Sequence, residues 1–217
     1  MEIDIDNVIK ILRESVKNFQ EPIVTEITKK SRDPYKVLIS TIISLRTKDD
    51  VTRKASQKLY ELADTPDEML KLNSEQIADA IFPAGFYRNK AETIINISKI
   101  LIEKYNGMVP DEIDELLTIK GIGRKTANLV VTMGYGKEGI CVDTHVHKVS
   151  NRLGYVSTKN PIETEFALRG KLPKKYWIEY NDLLVTFGQN ICVPISPFCT
   201  QCPIHNYCKR VGVKQYR

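Results

Sequence analysis

"TIKGIGRKTANLV", residues 118–130, sets two glycines one residue apart in front of an Arg-Lys pair and then continues with helical spacing. The stretch before it, DEIDELL at 111–117, reads as a short helix with Ile113, Leu116 and Leu117 turned inward. The stretch after it, RKTANLVVTMGYG, reads as a second helix that stops at Gly134 or Gly136. Between the two, Gly121-Ile122-Gly123 forms the turn of an αα-hairpin. Glycine admits positive φ and lets a bulky group approach the main chain, and the start of a helix offers unpaired N–H groups with partial positive charge. The turn is therefore either a plain helix connection or a seat for a phosphate. Lys120 and Arg124 flank it, and Lys125 lies one step inside the second helix. There a lysine serves as a solvated charge, a phosphate contact or, given an acidic partner and a pocket, a nucleophile.

Working outward, helical periodicity covers most of the chain. Ile5, Val8, Ile9, Leu12, Val16 and Phe19 line one face of a first helix, and the same period recurs around 34–46, 49–63, 88–104 and 175–188. Helix starts are written at Thr65-Pro66-Asp67-Glu68 and Asn160-Pro161-Ile162-Glu163, each a capping residue followed by proline and a glutamate. The β-branched run LISTIISL at 38–45 has no second alternating segment to pair with, so it is a buried helix. The fold class is all-α.

The 217 residues, 42% apolar and 27% charged, match an ordinary globular protein and exclude disorder. No apolar run reaches the roughly 18 residues of a membrane span, and the acidic, amphipathic opening after Met1 is unlike a signal peptide, which predicts a cytoplasmic protein with no membrane partner. Charge is uneven. Residues 1–114 carry 17 basic and 20 acidic side chains, whereas 115–217 carry 15 basic and 7 acidic. A positive second half suits a polyanionic partner.

Two further features bear on chemistry. In GICVDTHVHKVSNRLG, residues 139–154, Asp143 caps a helix whose buried face is Val146, Val149 and Leu153 and whose stop is Gly154. A carboxylate fixed at a helix start is either a cap alone or a group able to orient or exchange protons beside an amine. His145 and His147, two apart on a helix, point in different directions and suit structural or DNA-contact roles better than a metal. Cys192, Cys199, Cys202 and Cys208 form Cx6Cx2Cx5C, four thiols within 17 residues of proline-studded chain that has almost no core of its own. A metal centre is the natural organiser, with zinc and iron–sulfur both open on spacing alone. Cys141 is the odd cysteine and is read as buried.

The order of IKGIGRKTAN, VDTHVHKVSNR and Cx6Cx2Cx5C, with RDPYKVLISTIISLRTKDD at 32–50, resembles the endonuclease III family of helix-hairpin-helix DNA glycosylases over nearly the whole chain. The resemblance implies a two-lobed fold. A six-helix barrel domain spans 23–137 and carries the hairpin at about 112–131; a cluster domain is built from 1–22 and 138–217 and carries a [4Fe-4S] loop at 192–208. It implies that Lys125 is the nucleophile and Asp143 the essential carboxylate, both at the mouth of a pocket for a flipped base, and that Cys192, Cys199, Cys202 and Cys208 ligate the cluster. DNA contacts would come from Lys120, Gly121, Gly123, Arg124, Arg46, His145 and Lys148, with Lys209 and Arg210 meeting phosphates near the cysteines. The implied activity is that of a monomeric bifunctional glycosylase and abasic-site lyase for oxidised pyrimidines in double-stranded DNA. The alternatives are a related glycosylase for a mismatched base and a non-catalytic iron–sulfur DNA-binding protein. Two departures stand out. Ile119-Lys120-Gly121 replaces the family's Leu-Pro-Gly, and Arg46, in SLRTKD, replaces a glutamine that fills the hole left by the flipped base.

Overall fold

The computed structural model describes residues 3–217 apart from the Lys30 side chain; Met1 and Glu2, assigned to the cluster domain on sequence, lie outside it. The chain divides into two compact units, one of residues up to Pro22 together with Glu138–Arg217 and the other of Ile23–Lys137. Among the described residues all regular structure is helical, and no helix is long and apolar enough to cross a membrane.

In the first unit, α1 (Ile5–Val16) starts where the Asp4 carboxylate accepts from Asn7 N at 3.1 Å. Phe19 lies beyond its end, so the inward stripe is Ile5, Val8, Ile9 and Leu12, with Val16 partly buried against the same core. These residues join a core with α10 (Thr144–Leu153), α11 (Pro161–Lys171) and α12 (Trp177–Asn190), centred on Val146, Val149, Tyr180, Leu184 and Phe187. Two buried polar atoms are satisfied inside that core: Tyr180 Oη lies 3.1 Å from Ser150 Oγ, and Trp177 Nε1 donates to Leu172 O at 2.8 Å.

In the second unit, LISTIISL is helical: α3 (Pro34–Ser44) is buried from Val37 through Ile43. Its helical neighbours account for burial all round, since α2 (Ile23–Lys30), α4 (Asp49–Leu62), α7 (Tyr87–Tyr105) and α9 (Arg124–Leu129) all pack on it. The short α5 (Pro66–Met69) and α6 (Ser74–Ile81) precede α7, and α8 (Ile113–Thr118) precedes α9. The cap written at Thr65 is made, Thr65 Oγ1 accepting from Glu68 N at 3.3 Å; in the first unit Asn160 does the same for Glu163 N at 2.9 Å. The helix after the hairpin does not run regularly to Gly134. From Val130 to Gly134 it widens into a π turn, where Gly134 lies against Pro34 at the start of α3 so closely that a Cβ would sit 3.0 Å from Pro34 Cα.

Candidate functional site

The hairpin belongs to the second unit. Its inward residues are Leu116, Ile119 and Ile122; Leu117 is exposed, a correction to the sequence reading that follows from the chain leaving α8 at Thr118 and turning Ile119 in. Ile122, 5% exposed, anchors the turn in the core while Lys120, Gly121 and Gly123 remain outside. The two glycines are there for different reasons. Gly121 adopts φ +100°, and a Cβ on it would meet Thr93 Cγ2 at 2.6 Å, so backbone and packing both demand glycine. Gly123 has an ordinary φ of −94°, and nothing lies within 4 Å of where a Cβ would be. It caps α9 without a side chain, leaving the space in front of the helix start open. Arg124 and Lys125, in the first turn, are partly buried, and Thr126 to Leu129 are buried behind them.

Asp143 lies in the first unit, at the head of α10. Its Oδ1 accepts from His145 N at 2.8 Å and Val146 N at 2.9 Å, so the carboxylate is held by the helix it caps. The chain leading to it is pinned from below, where Asn181 Nδ2 donates to Cys141 O at 3.1 Å; Cys141 itself is buried. His145 is packed on α12 so tightly that a Cβ on Gly188 would fall 2.6 Å from its Nδ1. His147 Nδ1 lies 2.6 Å from Thr164 Oγ1, and burial, aided by Lys148, lowers its pKa from the ordinary 6.5. Lys148 is partly buried.

The four cysteines of the motif line one pocket, whose remaining wall includes Val149, Leu153, Phe187, Phe198 and Ile204. Arg152, from the last turn of α10, straps this loop down. Its Nη1 donates to Val193 O at 2.8 Å and to Cys192 Sγ at 3.4 Å, and its Nη2 donates to Pro194 O at 2.7 Å. Arg210 N donates to Cys208 Sγ at 3.4 Å. Burial raises the pKa of Cys199 and Cys208 and takes that of Cys202 up to about 11, so these thiols ionise only if a cation compensates. Among the described residues no three His, Cys, Asp or Glu side chains are placed around a single metal ion; the sulfurs are distributed over a pocket wall instead. Four cysteine donors in a largely apolar enclosure, with N–H groups turned toward two of the sulfurs, fit an iron–sulfur cluster.

Arg46 is in the second unit, in the loop between α3 and α4, exposed and in the left-handed region at φ +52°. Its guanidinium carbon lies 5.6 Å from the ring centroid of Phe86, which is also left-handed at φ +57° and is 62% exposed. Beneath them Lys90, 6% exposed, donates to Ile43 O and Leu45 O, each at 2.6 Å, and to Thr47 Oγ1 at 2.8 Å. Neither Phe86 nor Lys90 emerged from the sequence. A lysine within a helical pattern reads as a surface charge, and only the cluster of carbonyls at the end of α3 shows otherwise. Arg152 was missed for the same reason.

Comparison with known proteins follows the same outline. Residues 39–174 match the model of the HhH-GPD superfamily, described as base excision DNA repair proteins. The chain is 48% identical over 200 residues to endonuclease III of Thermotoga maritima, covering 92% of this chain and 91% of that one. Among solved structures it resembles a trapped endonuclease III–DNA covalent intermediate (TM-score 0.77, 37% identity, 82% of this chain and 84% of that one). It also resembles a thermostable thymine-DNA glycosylase (TM-score 0.79, 25% identity, 92% of each chain).

Proposed function

The chain belongs to the HhH-GPD superfamily of base excision DNA repair proteins and, within it, to the endonuclease III group of DNA glycosylases with abasic-site lyase activity, and from that premise we propose that Lys125 and Asp143 carry the reaction on oxidised pyrimidines in double-stranded DNA. One observation carries the assignment. The start of α9 faces open space at Gly123, where a phosphate can approach the main chain, and Lys125 lies two residues further on in the same turn. The hairpin, with Lys120 and Arg124, holds the DNA backbone, which brings Lys125 to the sugar of the extruded nucleotide.

The Lys125 amine, unprotonated, attacks C1′; the bond from C1′ to the base breaks and its electron pair leaves with the base. Loss of a proton from nitrogen and opening of the sugar give an imine between Nζ and C1′. Removal of a C2′ proton then expels the 3′ phosphate by β-elimination, and water releases the lysine. Asp143, fixed by its cap, stabilises positive charge on the sugar and moves protons between amine and sugar oxygen. Arg46 enters the place vacated by the base and donates to the base left opposite. His145 and Lys148 stand near the head of α10 as supporting contacts. Cys192, Cys199, Cys202 and Cys208 would hold a [4Fe-4S] cluster, which would supply a structural anchor for the 192–208 loop, and Lys209 and Arg210, next along the chain, contact phosphates. The protein acts as a cytoplasmic, nucleoid-associated monomer.

Borohydride reduction during reaction with a thymine-glycol duplex tests the assignment. Wild type forms a covalent protein–DNA adduct and Lys125→Ala does not. No adduct with wild type, or one that persists in Lys125→Ala, refutes it.

A further inference from the structure

The loop that carries Arg46 holds an energetically unfavourable arrangement. Arg46 and Phe86 are both non-glycine residues with positive φ, a conformation that survives only where surrounding contacts overdetermine it. Three of those contacts come from one group. Lys90 projects from the first turn of α7 into the C-terminal end of α3 and spends all three ammonium protons on Ile43 O, Leu45 O and Thr47 Oγ1. Ile43 and Leu45 supply two of the three carbonyls just before Arg46, Ser44 O between them accepting from Thr47 N at 3.0 Å, and Thr47 is the residue after it, so the three acceptors of Lys90 bracket Arg46 on both sides. Thr47 Oγ1 also accepts from Gly85 N at 3.1 Å, and Gly85 is so close to the loop that a Cβ would lie 2.6 Å from Arg46 O. Residues 43–47 and 85–90 are thus fastened into one piece, and its outward side is the Arg46 guanidinium over the Phe86 ring.

A buried lysine is a costly way to satisfy two carbonyls and a hydroxyl that water or a serine could serve. Burial brings the pKa of the Lys90 ammonium down to about 8. What the lysine alone supplies is reach: one atom that spans three acceptors on the two sides of a left-handed residue. We propose that Lys90 is a positioning residue for the contact with the base opposite the lesion, holding Arg46 in its left-handed conformation so that the guanidinium is presented outward on Phe86 in a single orientation. This rests on Arg46 meeting that base, and the experiment separates the two ideas.

Single-turnover excision is measured on thymine-glycol duplexes carrying each of the four opposite bases, for wild type, Arg46→Ala, Lys90→Met, their combination, Thr47→Val and Thr47→Ser. The readout is the ratio of rates between the best and worst opposite base, with thermal melting alongside. Arg46→Ala changes that ratio by about tenfold, the scale of one well-placed polar contact to a base. Lys90→Met changes it in the same direction and by a similar factor. The double variant goes no further, because an unanchored Arg46 has already lost its contact. Thr47→Val gives a smaller change in the same direction, and Thr47→Ser, which keeps the hydroxyl, restores the wild-type ratio. A folded Lys90→Met with the wild-type ratio, or losses that multiply in the double variant, overturns the positioning role. If Lys90→Met does not fold, an unchanged ratio in Thr47→Val overturns it instead. An unchanged ratio in Arg46→Ala removes the contact itself and the positioning role with it.

Discussion

The two hairpin glycines offer a sharp experiment because the same substitution acts at each through different physics. In Gly121→Ala the new Cβ must exist at φ +100°, outside the region open to L-residues, at about 1–2 kcal/mol. It must also displace Thr93 Cγ2 from 2.6 Å, an overpacking that costs about 1–3 kcal/mol. The total, about 2–5 kcal/mol, lowers the melting temperature by about 4–20 °C for a chain of this size. Thr93→Ser removes the clashing methyl and keeps the hydroxyl that donates to Asn89 O at 2.8 Å, so combining it with Gly121→Ala recovers the packing part and leaves the backbone part. Gly123→Ala meets neither obstacle. Alanine is a poorer cap than glycine, but it narrows the unfolded ensemble, and the two effects offset to within about 0.5 kcal/mol. Its Cβ instead occupies the open space in front of α9, so affinity for an abasic-site duplex, followed by fluorescence anisotropy at fixed salt, falls about tenfold or more as a backbone N–H to phosphate contact is pushed away. Equal melting losses in the two variants would refute the division, and so would a Gly123→Ala protein that binds DNA as wild type does.

Asp143→Asn keeps a side-chain oxygen for His145 N and Val146 N, so melting shifts by less than about 1 kcal/mol while base excision falls by about 10²- to 10⁴-fold; equal losses in stability and rate would reduce Asp143 to a cap. His147 supplies a pH dependence. Because burial places its folded pKa below the ordinary 6.5, the unfolded chain takes up the proton first on acidification, so this contribution to stability is complete above pH 6.5 and is lost as pH falls through the folded value. Melting between pH 7.5 and 5.5 therefore declines less steeply in His147→Gln than in wild type, and parallel curves would contradict the assignment.

Much of this molecule was legible in the sequence because it is local. Helix caps such as Thr65 with Glu68 and Asn160 with Glu163 close over three residues, and the apolar spacing of α1 needs only one helix to be recognised. The cysteine motif and the hairpin were visible for the same reason, and together they marked the family before any coordinates. Contacts between distant segments left no such trace. Nothing in the letters distinguishes Gly121, which the backbone and Thr93 require, from Gly123, which nothing inside the protein requires. Leu117 is exposed and Ile119 buried because the chain turns at Thr118, a matter of a few dihedral angles. The burial of Lys90, the left-handed pair Arg46 and Phe86, and the Arg152 strap over the cysteine loop depend on partners about 40 residues away along the chain. Periodicity and capping express the energetics of one helix at a time, whereas these side chains are placed by carbonyls and rings that only packing brings within reach.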